Sequence, residues 1–412
     1  MNAPSSLVPS TSPTSKRQAA LSDEGIKEHL DSWFATHGQA LIQFRRYLHA
    51  HPELSGCEQG TAALIAERLA AAGLQPTLLP AGNGVICDVG AGERTIGLRA
   101  DLDALPLPDL KDVPYRSTID GVCHACGHDA HTTVLLGTML ALAEIADLLP
   151  VRVRALFQPS EESAPFGAMD VIDAGGLAEV DEIYALHCYP QLPAGQVGLR
   201  VGGLTAACDL ATVRLTGPGG HTARPHLTVD LVGALARLIN EVPALLARQF
   251  DNRGGLLVVF GTLHTGAANN VIPQEGTAGC TIRVLDTEIW RQIPKAFDEI
   301  VRHITAPSGA KVEIDYQRGV PPVMNDERLV SIFATAAGVA LGPGSVHPAP
   351  HSMGGEDFAW YLEHVPGAMV RLGVGRSDIT VDLHQGDFDI DERALEYGVR
   401  LMTQTVIETG RR

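Results

Sequence analysis

The stretch CHACGHDAH, residues 123–131, places Cys123, His124, Cys126, His128 and His131 within one short segment. Thiolates and imidazoles are ligands for borderline divalent metals, and Gly127 lets Cys126 and His128 converge from a tight turn. A c-type haem attachment needs histidine directly after the second cysteine, where Gly127 stands. A zinc finger or ribbon needs a second matching pair, and no other C-x-x-C occurs in the chain. A redox pair of Cys123 and Cys126 gives no role to His128 or Asp129. That reading and a plain crowded turn of the core stay open beside the metal site, which uses the residues best. Asp129 or Asp101 would then orient an imidazole by a hydrogen bond from behind.

A second candidate is Glu161-Glu162 in FQPSEES. Adjacent acids are ordinarily a solvated face, but these follow the apolar run VRVRALF. Neighbouring side chains at a strand end point different ways, so one carboxylate can ligate a cation while the other faces substrate. The second one can take a proton from a metal-bound water, whose pKa the cation brings to about 7.

These side chains need elements to hold them. IKEHLDSWFATHGQALIQF places Ile26, Leu30, Trp33, Phe34, Leu41 and Phe44 near a 3.6-residue period, which predicts a helix. CEQGTAALIAERLAAAGL predicts a second one, stopped at Gly73. Then short apolar runs (GVICDVG, TIGLRA, VRVRALF, EIYALHC) alternate with helical segments, the longest beginning near Thr132. That alternation predicts an α/β fold with a largely parallel sheet. TIGLRA runs into Asp101 and Asp103, VRVRALF into Glu161 and Glu162, and EIYAL into His187. Ligands sit outside the carboxyl ends of strands in such sheets, so the ligand-type residues collect on one expected edge.

From about Gly202 the pattern becomes strand, helix, two strands, helix, strand, the ferredoxin-like order. The expected organisation is a tail at 1–22, a catalytic domain at 23–204 and 319–412, and an inserted domain at 205–318. The tail is rich in Ser, Thr and Pro and reads as disordered, without the apolar middle of a secretory signal.

Composition narrows the partners. Against 48 Asp and Glu there are 31 Lys and Arg, a net charge of −17, and 45% of residues are hydrophobic. So acidic a surface argues against nucleic acid or an anionic membrane as partner. No apolar run of spanning length occurs. The scattered cysteines read as buried free thiols of a reducing cytosol, and the expected location is cytoplasmic.

Taken in order, RRYLHAHPELSGCE, GLRADLDALPLPD, CHACGHDAH, FQPSEE, ALHCYP, GPGGHTARPH, ANNVIP, GGEDF and LHQGDFDID resemble the motifs of the M20 family of metallopeptidases. The branch they resemble is the amidohydrolases that include hippurate hydrolases and indole-acetyl-amino-acid hydrolases. The resemblance implies Cys126, His128, Glu162, His187 and His384 as ligands for two divalent ions, zinc or manganese, with Cys126 bridging. It implies Glu161 as general base, His221 as a lid histidine reaching the reacting carbonyl, and Asn270 as a substrate contact. It also implies that the inserted domain is a lid that mediates a homodimer or higher homo-oligomer. Arg224, beside His221, offers a positive charge for the free carboxylate of a substrate.

The expected reaction is hydrolysis of an N-acyl amino acid, with N-acetyl, N-benzoyl or N-arylacetyl groups, to an amino acid and a carboxylic acid. A narrower N-acetyl-diaminopimelate-type deacetylase or dipeptidase is the alternative within that chemistry, and a catalytically silent metal-binding assembly module the alternative outside it. The chain departs from the family pattern at Cys123, usually methionine, at Pro218, usually lysine, and at Gln385-Gly386, usually Ser-Pro. None of these removes an implied ligand or the base.

Overall fold

The computed structural model describes residues 21–376 and 381–412. The expected tail lies outside these except for Leu21 and Ser22, and the Ser22 hydroxyl caps the first helix by accepting the Gly25 N–H. The chain divides into two compact units. One holds the residues up to Leu199 with Arg328–Pro348 and Ala368–Arg412, and the other holds Arg200–Glu327 with Ala349–Gly367.

The elements run α1 (Asp23–Ala50), α2 (Gln59–Ala71), β1 (Thr77–Leu78), β2 (Val85–Val89), β3 (Thr95–Asp101), α3 (His128–Ala143), β4 (Arg152–Gln158), α4 (Gly167–Asp173), β5 (Glu182–Pro193) and β6 (Val197–Leu199). Next come β7 (Gly202–Thr205), β8 (Ala207–Thr216), β9 (Gly220–His221), α5 (Leu231–Gln249), β10 (Leu257–Thr265), β11 (Val271–Ile272), β12 (Glu275–Val284), α6 (Thr287–Thr305), β13 (Lys311–Val320) and β14 (Val323–Asn325). The chain closes with α7 (Glu327–Ala340), β15 (Val346–Pro348), α8 (Ala359–Leu362), β16 (Gly367–Gly375) and α9 (Arg393–Gly410).

The first unit is built on an eight-stranded sheet in the order β1-β2-β4-β3-β5-β16-β6-β15. Its middle is parallel, with β3 between β4 and β5, while β2 joins β4 antiparallel. Every residue of β3 is buried, as expected for a central strand covered on both faces. Register decides the functional edge. Asp101 pairs with Gln158 and Arg99 with Ala185, so two residues further along β5 His187 stands level with Asp101. The last residues of β3 and β4 therefore meet His187, midway along the longer β5, in one row.

Helix α3 is apolar around most of its circumference and packs on α1, α9 and β3, which is why it is buried on nearly every side. It starts at His128, a turn earlier than periodicity alone predicts. Gly127 makes this possible with φ +87°, and a Cβ there would lie 2.8 Å from the Cys188 sulfur.

Two polar residues of α1 face inward. Arg45 Nε lies 2.8 Å from Asp129 Oδ2 and its Nη2 3.0 Å from Asp389 Oδ1, and the His49 Nδ1–H donates to Asp129 at 2.6 Å. Burial works against the Arg45 cation, but Asp129 and Asp389 outweigh it and raise its pKa. Arg45→Ala would remove the buried cation that bridges two buried carboxylates. It is expected to destabilise the fold by about 3–5 kcal/mol, read as a lower denaturant midpoint; an unchanged midpoint would show that the network contributes nothing.

In the second unit β8, β10, β12 and β13 form an antiparallel sheet in the order β10-β12-β8-β13. With α5 and α6 between strands in chain order, this is the ferredoxin-like arrangement. Strand β12 alternates buried and partly exposed residues, so its Ala278, Cys280 and Ile282 meet Leu235, Leu238, Ile293 and Phe297 of the helices in one core.

Candidate metal centre

The side chains of the site are placed by strands of the central sheet, by the turn before α3 and by the segment before α9. Cys126 and His128 flank Gly127, Glu161 and Glu162 follow β4, and His187 lies in β5. His384 enters from the segment before α9, with φ +62° and its backbone N–H donating to the Ala125 carbonyl at 2.8 Å. The ligand atoms of Cys126, His128 and His187 all lie within 4.8 Å of one another, and so do those of Cys126, Glu162 and His384. Cys126 belongs to both groups, as a bridging ligand requires. His128, Glu161 and Glu162 form a third such group.

Hydrogen bonds set the tautomers. His128 Nδ1 is 3.0 Å from Asp103 Oδ1, and a carboxylate only accepts, so Nδ1 carries a proton and Nε2 is the nitrogen left to face a cation. His187 Nδ1 donates to the Cys188 carbonyl at 2.8 Å, which leaves its Nε2 facing the Cys126 sulfur at 3.5 Å. His128 Nε2 lies 3.8 Å from Glu162 Oε1 and 4.0 Å from Glu161 Oε2, and Glu162 Oε1 lies 3.2 Å from His384 Nε2.

The orienting partner of His128 is thus Asp103. Asp101 is engaged by His131, at 2.6 Å, and Asp129 by Arg45 and His49. The early start of α3 explains this, because it puts His128 and His131 on one helix face above the end of β3. His131 is fully committed, since its Nε2 accepts the Cys188 N–H at 2.8 Å. A further group, His49, Asp109 and Cys123, already holds a cation, the Lys111 ammonium 2.9 Å from Asp109 and 3.8 Å from the Cys123 sulfur.

The centre is electrostatically unbalanced without a cation. Burial, then Glu162 and Glu161, push the Cys126 thiol well above the ordinary range. Burial opposes a charged His128, yet Asp101 and Asp103 outweigh it and push it up to about 10. Burial and the neighbouring His131 hold His187 well below the usual histidine range, which suits a neutral ligand. His128 Nε2 is buried with no hydrogen-bond partner among the described residues. Groups so buried are costly unless paired or metal-bound. Divalent cations fit this set of sulfur, nitrogen and oxygen donors. Asp103→Asn is expected to weaken cation affinity by about 10–100-fold, measured by titrating metal-free protein against a chelator; unchanged affinity would remove Asp103 from the account.

His221, Asn270 and Arg224 lie in the second unit. Strands β9 and β11 pair with His221 opposite Val271, and the Thr222 N–H donates to the Asn270 carbonyl, so His221 and Asn270 share one small ribbon. His221 Nδ1 accepts the Ala223 N–H at 3.0 Å, which leaves the ring proton on Nε2 of an exposed side chain. Arg224 is exposed one turn beyond. All seven cysteines are free, and Cys57, expected to be buried, is exposed because it lies in the turn before α2. No helix among the described residues is long and apolar enough to cross a membrane.

The family model described as peptidase family M20/M25/M40 matches residues 97–408. A Rhodococcus jostii (strain RHA1) protein with a glutamate–cysteine ligase name is 45% identical over 88% of this chain. The chain spans 46% of that relative's length, so the name describes a much longer protein. The Bacillus subtilis (strain 168) N-acetyl-L-cysteine deacetylase is 39% identical, over 86% of this chain and 84% of its own. A solved Bacillus subtilis structure, described as a dinuclear metal binding peptidase from the M20 family, is 31% identical with TM-score 0.80, covering 90% of this chain and 98% of that one.

Proposed function

The chain belongs to peptidase family M20/M25/M40 as a metal-dependent hydrolase, and from that premise we propose that it cleaves the amide of N-acyl amino acids, releasing an amino acid and a carboxylic acid. The observation that carries this is the pair of ligand groups sharing Cys126, with Glu161 beside them. Cys126, His128, Glu162, His187 and His384 would hold two divalent cations, zinc or manganese. Bound there, the cations supply Lewis-acid polarisation of the carbonyl and a more acidic water.

The chain's own residues do the rest. Glu161 takes a proton from the attacking water and delivers it to the leaving amine. His221, with its proton on Nε2, donates to the developing oxyanion, an interaction worth about 3 kcal/mol per donor. Asn270 and Arg224 contact the substrate, Arg224 through its free carboxylate. The second unit acts as the lid and the dimerisation surface of a homodimer or higher homo-oligomer. The name of the Bacillus subtilis deacetylase favours acetyl among the acyl groups.

The test is amino-acid release from a panel of N-acetyl, N-benzoyl and N-indoleacetyl amino acids by the metal-loaded protein. Release from at least one class is expected, and a preference confined to N-acetyl-diaminopimelate or to dipeptides would replace this reading with the narrower one. Release from no member of the panel would contradict it.

A further inference from the structure

We propose that Glu58 is the positioning residue for the general base: its buried carboxylate fixes the turn at Ser160 from which Glu161 reaches the ligand cluster. This rests on the reading of Glu161 given above. Ser160 is a non-glycine residue with φ +52°, a conformation that persists only where the surroundings over-determine it. Glu58 Oε1 accepts the Ser160 N–H at 2.7 Å and lies 3.4 Å from the Ser160 hydroxyl, and it also takes the Gly56 N–H at 3.0 Å. Its other oxygen accepts from Asn83 Nδ2 at 3.4 Å. Glu58 is wholly buried, and Ser160 and Glu161 are buried too.

The position of Glu58 makes the arrangement telling. It stands at the N-cap of α2 but makes no side-chain cap there. Glu53 does that work, accepting the Gly60 and Thr61 N–H groups at 3.0 and 2.7 Å. The Glu58 carboxylate is directed away from its own helix to a turn 102 residues on. On the far side of Glu161, the Glu162 N–H donates to Asp103 Oδ2 at 3.0 Å, and the Ser55 hydroxyl donates to the same oxygen at 2.7 Å. The base is thus held between two peptide N–H groups, each anchored on a buried carboxylate, and the segment ELSGCE touches both anchors. Misplacement of a catalytic group by about 1 Å can lower the rate by about 10²-fold.

The experiment compares wild type, Glu58→Ala and Glu58→Gln as full-length, metal-loaded proteins. It measures kcat and KM on N-acetyl-L-cysteine and N-benzoylglycine, metal content, and amide hydrogen exchange over residues 158–162. In Glu58→Ala, kcat is expected to fall by about 10–10²-fold with KM within about twofold and metal retained, while exchange at Ser160 speeds up. Glu58→Gln keeps an oxygen acceptor and is expected to recover most of kcat and of the protection. Unchanged kcat in Glu58→Ala, a loss that tracks metal loss, or a folded Glu58→Gln as impaired as the alanine variant would overturn the proposal. If wild type hydrolyses neither these substrates nor any member of the panel above, the functional reading falls by itself, and the exchange at Ser160 still decides whether Glu58 holds the turn.

Discussion

Glu161→Gln is expected to keep its cations and to lose about 10²–10⁴-fold in turnover. Glutamine matches the size of glutamate and keeps an oxygen, but its amide cannot accept a proton at neutral pH and return it to the leaving amine. Glu161 stands outside both ligand groups that share Cys126 and meets the cluster beside His128 and Glu162. Elemental analysis and steady-state amino-acid release from the same preparations separate the outcomes. Near-normal turnover would remove Glu161 as the base, and loss of metal would make it a ligand.

The second large effect is at Cys126. Because its sulfur completes both groups, Cys126→Ala is expected to empty the centre rather than half of it, and to abolish activity with it. The thiol is held well above its usual range by burial, Glu162 and Glu161, so only a cation can draw it into the thiolate form at neutral pH. Cys123→Ala serves as the control. Cys123 neighbours the Lys111 ammonium and lies outside the Cys126 groups, so that variant is expected to retain its metal. If instead both variants lost activity with metal intact, the thiol-pair reading of this segment would regain its standing.

Much of the site is legible in the sequence because a parallel sheet has a chemically distinct edge. Asp101, Glu161, Glu162 and His187 each follow an apolar run, and parallel register alone brings the ends of β3 and β4 level with His187 of β5. The ferredoxin-like order of the second unit is likewise written in its alternation of strand and helix patterns. The three-residue strands β6 and β15 escape such a reading because so few residues carry no period.

Orientation is less legible than position. Asp101, Asp103 and Asp129 are all acids near His128, and only the start of α3 at Gly127 decides that Asp103 receives its Nδ1–H. Arg45, His49 and Glu58 look like the polar face and turn of a surface helix. They are buried because partners far along the chain, at Asp129, Asp389 and Ser160, complete their hydrogen bonds. Pairing of that kind leaves no periodic trace. His384 does not directly follow an apolar run in the sequence, and only its resemblance to a family motif singles it out.

The most direct test is to strip the protein with a chelator and follow amino-acid release while zinc or manganese is added back in measured equivalents. The account predicts a metal-free protein without activity, restored fully only as the second equivalent binds, and a Cys126→Ala variant that no amount of metal restores. Full turnover by the metal-free chain, or by Cys126→Ala, would contradict it.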